Sequence, residues 1–102
     1  MGQSTDAAEA RRRFDEIRSL IDENDLRLVA TVNERLRLVT ELWALKAELG
    51  LPLFDGGREQ RLRDTLAAAN AGPLSAAGLD RLVAEILALT RSELGAPEPG
   101  GA

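Results

Sequence analysis

The feature that most constrains this chain is a stretch from about Ala8 to Leu49 that contains neither Gly nor Pro. Within it Phe14, Ile17, Ile21, Leu28, Val32, Val39, Leu42 and Leu49 recur at three-, four- and seven-residue steps, the signature of one face of an α-helix. At 1.5 Å of rise per residue this predicts a helix roughly 60 Å long. A compact globule of 102 residues would be only ~26 Å across, about twice its expected radius of gyration. A helix of that length cannot be buried within its own chain.

The rest of the sequence is too short to cover it. Gly50-Leu51-Pro52 ends the long helix, with Gly just past the last turn and Pro beyond it. A second helix is predicted from about Gly57 to Asn70, with Leu62, Leu66 and Ala69 inward and Asp55 or a following Gly as its cap. Ala71-Gly72-Pro73 interrupts the chain again, and a third helix is predicted from about Ser75 to Leu94, with Leu79, Leu82, Val83, Ile86, Leu87 and Leu89 apolar. The expected architecture is therefore all-α, three helices per chain with one very long, forming an intertwined homodimer in which a second copy covers the exposed apolar length. Residues 1–8 read as a flexible polar leader and 9–95 as the helical domain. Residues 96–102, with Pro97 and Pro99, read as a flexible tail.

Composition removes several classes of function. The chain has no Cys and no His, so disulfides, thiolate metal sites and the commonest general base are all excluded. A net charge of −4 argues against a nucleic-acid partner, and an anionic ligand would need a local cationic pocket. Met1 to Arg13 carries no apolar run, so neither a secretory signal nor a membrane span is expected, and the lack of Cys suits a cytoplasmic location.

Four cations interrupt the apolar stripes: Arg18, Arg35 and Lys46 on the long helix, and Arg58 after the break, followed by Glu59. Charges on faces that bury Leu and Val are costly unless an anion meets them, which suggests a pocket for a small dicarboxylate. Lys46 follows Arg35 by eleven residues, and eleven steps of 100° return to within about 20° of one direction, some 16 Å along the axis. Arg18 precedes Arg35 by seventeen residues, roughly a quarter turn away and about 25 Å distant, so it could enter such a pocket only from a second, antiparallel copy. Taken singly, each cation reads more readily as a solvated or snorkelling side chain. Arg58 and Glu59 likewise read as a charge pair at a helix start.

The ordered set is more specific. Ile17-Arg18-x-x-Ile21-Asp22-x-x-Asp25, then Glu34-Arg35 and Lys46, then Gly50-Leu51-Pro52-x-x-Asp55-x-x-Arg58-Glu59 resembles the all-helical (AroQ-class) chorismate mutases from about residue 14 to residue 94. The resemblance implies an isomerase that converts chorismate to prephenate on the shikimate route to phenylalanine and tyrosine, without cofactor or metal. It implies that Arg35, with Arg18 from the other subunit, clamps the substrate carboxylates and that Arg58 adds positive charge. Lys46 would meet the ether oxygen of the breaking bond, and Glu59 with the backbone around Asp55 would hold the ring hydroxyl. Thr90 falls where the family commonly has a Ser that touches a carboxylate. Lys46, Arg35 and Glu59 would be the catalytic residues.

One position departs from the pattern. Four residues after Thr90 many members place a Gln that also contacts the ether oxygen, and here that position is Leu94. The ending Arg91-Ser92-Glu93-Leu94-Gly95 instead resembles small actinobacterial members, which are weak alone and are activated by the first enzyme of the shikimate pathway. Two alternatives stay open at this level. One is a sibling enzyme acting on aminodeoxychorismate or isochorismate with the same clamps. The other is a helical interaction module or weakly active regulatory subunit.

Overall fold

A computed structural model describes residues 2–95, with side chains from residue 6 onward. Among these residues the structure is all-α: α1 (Gly2–Leu49), α2 (Gly56–Ala69) and α3 (Ala76–Leu94). The chain divides into two compact units, Met1–Arg35 and Leu36–Ala102. Helix α1 begins earlier than expected, because Ala7, Ala8 and Ala10 are strong helix formers and nothing between Gln3 and Leu49 breaks the run. The expectation of a tail at 96–102 lies outside the described residues.

The first unit is a single run of α1. Its apolar side chains are exposed in the chain by itself: Phe14, Ile17, Leu20, Ile21, Leu26, Leu28 and Val29 all remain accessible, Leu26 at 73%. Arg11–Asp15 (3.5 Å) and Arg13–Glu16 (3.0 Å) are exposed ion pairs, each joining residues about one turn apart.

In the second unit each helix end is built from local chemistry. Gly50 adopts φ +69°, and Leu51 N–H donates to the Lys46 carbonyl at 2.9 Å, closing α1 through the left-handed conformation that Gly tolerates. Asp55 caps α2, its side chain accepting from Arg58 N–H at 3.2 Å, and Glu59 follows in the first turn. Ser75 caps α3 by accepting from Gly78 N–H at 2.9 Å. Gly95, at φ +75°, ends α3 with its N–H donating to the Arg91 carbonyl.

Helices α2 and α3 pack on each other through Leu62 and Leu66 against the buried Leu79, Val83 and Leu87. The α3 stripe continues to Thr90, 6% exposed, at steps of four, four and three residues. Ala69, expected to face inward, is exposed, and among the apolar positions of α3 so are Leu82 and Leu89, at 45% and 42%. The reason is angular: Leu82 sits about 100° around the helix from Val83, on a face that α2 does not reach. Leu87 lies in the line of contact and is buried.

Replacing Leu87 with Ala removes one of the three buried core side chains. The variant is expected to lose about 2–5 kcal/mol of stability, read from the midpoint of urea unfolding.

Candidate active site

The candidate residues are held by different elements, and local chemistry fixes each of them. Arg18 lies in the first unit on the exposed apolar face of α1. Its guanidinium sits over the Phe14 ring at 5.2 Å, with Arg11 over the same ring at 5.1 Å. Phe14 and Arg18 lie with Ala10, Arg13, Ile17 and Ile21 along one open strip of α1. Arg35 closes the first unit and is half-buried, as is Val32 one turn before it.

The second unit holds the remaining candidates. Lys46 is half-buried on the last turn of α1, in a stripe with the half-buried Val39 and Trp43. Its Nζ donates to the Leu53 carbonyl at 2.8 Å. The ammonium is thereby tied to the loop that leads into α2, with two of its three donors left over for other acceptors. That loop ends on Asp55, whose carboxylate holds the Arg58 N–H and also faces Arg61 Nη2 at 3.9 Å. Asp55 is therefore engaged structurally, and its backbone is fixed by the cap it makes.

Arg58 is exposed and Glu59 half-buried in the first turn of α2. The Glu59 carboxylate meets Arg91 Nη1 at 3.7 Å, and the two side chains are 30% and 19% exposed. Thr90 donates from Oγ1 to the Ile86 carbonyl at 2.8 Å, a back-bond that turns the hydroxyl onto its own helix. Leu94, at the position where the resemblance implies a Gln in many members, is half-buried, and its side chain carries no donor.

Within the second unit the structure thus brings together Lys46 with the 53–55 loop, Asp55 with the start of α2, and Glu59 with the end of α3. Sequence reading missed Arg91 as a partner of Glu59. The available signal was periodicity, since Arg91 lies four and eight residues after Leu87 and Val83 and so shares the face that packs on α2. Arg63, beside Leu62 on α2, is half-buried as well.

Among the described residues no three His, Cys, Asp or Glu side chains stand together as a metal cluster. No described helix is long and apolar enough to cross a membrane. The candidates comprise the cations Arg18 and Arg35 in the first unit and, in the second, Lys46, Arg58 and the carboxylates of Asp55 and Glu59 with the hydroxyl of Thr90.

Comparison with known proteins gives this set a family. The model for chorismate mutase type II matches residues 17–93, a span that includes every candidate from Arg18 to Thr90. The solved chorismate mutase of Thermus thermophilus is similar in both of its forms. Form I is 33% identical with a TM-score of 0.73, over 76% of this chain and 98% of that one. Form II is 32% identical with a TM-score of 0.74, over 78% and 91%. No curated protein matches the chain significantly. With the family model covering most of its length and these structures aligned over nearly all of theirs, the chain belongs to the type II chorismate mutases.

Proposed function

We propose that this protein is a chorismate mutase, an isomerase that converts chorismate to prephenate for phenylalanine and tyrosine synthesis. The observation that carries this reading is the family match over residues 17–93, which spans all the positions whose chemistry the reaction needs. No observation favours aminodeoxychorismate or isochorismate as the substrate.

The reaction suits a chain without His or Cys. The ether C–O bond breaks while a C–C bond forms within the same molecule, so no proton transfer, nucleophile or cofactor is required. Catalysis consists of holding the compact conformer and meeting the negative charge that grows on the ether oxygen. In this reading Arg35 and a partner's Arg18 clamp carboxylates, for which the guanidinium fork is suited, and Arg58 adds positive charge nearby. Lys46 presents a compact ammonium to the ether oxygen, and its bond to the Leu53 carbonyl supports that role by limiting the motion of a flexible side chain. Glu59 and the backbone beside Asp55 take the ring hydroxyl, and Thr90 lies close to a carboxylate.

The working unit in this proposal is an intertwined homodimer. Its support is the apolar face of α1 around Phe14, Ile17, Leu20 and Ile21, which is exposed in a single chain and carries Arg18. We place the enzyme in the cytoplasm, consistent with a chain free of Cys. The ending Arg91-Ser92-Glu93-Leu94-Gly95 and the apolar Leu94 support a further part of the reading, a complex with the first enzyme of the shikimate pathway.

The direct test is turnover by purified protein with product identification, using chorismate, aminodeoxychorismate and isochorismate side by side. Only the first should be consumed. Lys46→Ala is expected to lower kcat by about 10²–10³-fold, the usual cost of one donor to a developing oxyanion. Near-normal turnover by that variant would sink the assignment. Mixing inactive Arg18→Ala with inactive Arg35→Ala protein under subunit exchange should restore activity, because each mixed dimer holds one intact site. Silence despite confirmed exchange removes Arg18 from the partner's site. Adding the first shikimate-pathway enzyme should raise kcat/KM, and a ratio unchanged at saturating partner would remove that complex from the proposal.

A further inference from the structure

Arg91 has no part in the machinery described so far, yet its ion pair with Glu59 is less exposed than the other three named above. Arg11–Asp15, Arg13–Glu16 and Arg61–Asp55 join side chains that are each more than half exposed. In the pair between Arg91 and Glu59 the two are 19% and 30% exposed, at 3.7 Å. It also differs in connectivity. The first two lie within one helix and the third joins α2 to its own cap, whereas Arg91–Glu59 joins the last turn of α3 to the first turn of α2.

The reason for the meeting is the apolar seam. Leu62 and Leu66 follow Glu59 by three and seven residues, so all three share a face of α2. Val83 and Leu87 precede Arg91 on the matching face of α3. The ion pair therefore forms one end of the stripe that holds the two helices together. Both backbones are fixed there: α2 by the Asp55 cap, and α3 by the buried Thr90 and by Gly95 N–H donating to the Arg91 carbonyl. A contact anchored at both backbones has fewer geometries open to it than a pair of solvated side chains.

We propose that Arg91 is a positioning residue for the reaction, holding the Glu59 carboxylate across the α2–α3 seam so that it is aimed at the substrate hydroxyl. The inference rests on the proposed mutase function and on the role of Glu59 in it. A carboxylate offers about four acceptor sites, so engagement by one guanidinium leaves capacity for a hydroxyl donor. Arg91 Nη1 approaches one carboxylate oxygen, Oε1, at 3.7 Å, an ion-pair contact that restrains where the carboxylate lies.

The test is a double-mutant cycle on kcat and KM, using wild type, Arg91→Gln, Glu59→Gln and the double variant, with Arg91→Lys as the conservative replacement. Arg91→Gln should lower kcat/KM by about 10–100-fold, the range expected when a reacting contact is displaced by up to an ångström. Arg91→Lys should recover part of the loss. In the Glu59→Gln background the same change should move kcat/KM less than about twofold, because the group it positions is already altered. Prephenate affinity by titration calorimetry gives the same cycle without depending on turnover. If Arg91 only supports the fold, Arg91→Gln lowers the melting temperature while folded protein keeps its kcat/KM and its prephenate affinity. That result, or equal losses in both backgrounds, overturns the inference. Wild-type protein that leaves chorismate untouched overturns the proposed function instead, and the two failures are told apart by assaying wild type first.

Discussion

The contact of Leu62 and Leu66 with Leu79, Val83 and Leu87 is the interaction on which the second unit depends. It is small, and its position matters more than its size. Fixing the faces of α2 and α3 that meet also fixes which residues stand at the ends of the seam. Glu59 and Arg91 stand at one end because each lies at helical spacing from the leucines and valine that pack. The charged chemistry is thus a by-product of apolar register. A shift of α3 by one residue would turn Arg91 about 100° away from Glu59 and bring Leu82 or Leu89 into the line of contact.

Helix α1 has the opposite character. Its apolar residues are as regularly spaced as those of α3, yet in the first unit every large one but Val32 is exposed. Periodicity reports which face wants cover and is silent about which chain provides it. In the proposed dimer the same face performs two tasks, burying Phe14, Ile17 and Ile21 and presenting Arg18 to a neighbour. The Phe14 ring beneath the Arg18 guanidinium is suited to both, since one aromatic surface supports the cation and fills apolar space.

Most of the fold could be read from the sequence because its boundaries are written in residues with strong local preferences. Gly50, Asp55, Ser75 and Gly95 end or begin helices in the way that their side chains, or the lack of one, dictate. The start of α1 was less legible, since no breaker separates residues 2–8 from the rest. Within α3 the apolar positions outnumber those that α2 can cover, and only packing distinguishes buried Leu87 from exposed Leu89. For the site, the ordered cations and the family pattern pointed to the residue types that the proposed chemistry asks for. What they left out are the contacts that span elements, Lys46 with the Leu53 carbonyl and Glu59 with Arg91. A backbone carbonyl carries no letter in the sequence, and an Arg among thirteen basic residues does not announce its partner.

The Asp55 cap has a consequence for how freely this region can vary. The carboxylate that accepts the Arg58 N–H starts the helix bearing Arg58 and Glu59, so the first turn of that helix inherits its orientation from one oxygen atom. The permitted alphabet at position 55 is therefore narrow: Asn, Ser or Thr keep an acceptor, while apolar residues release the turn. Any redesign of the proposed pocket for a differently substituted ring would have to treat residue 55 as part of the scaffold, and look for its new specificity elsewhere.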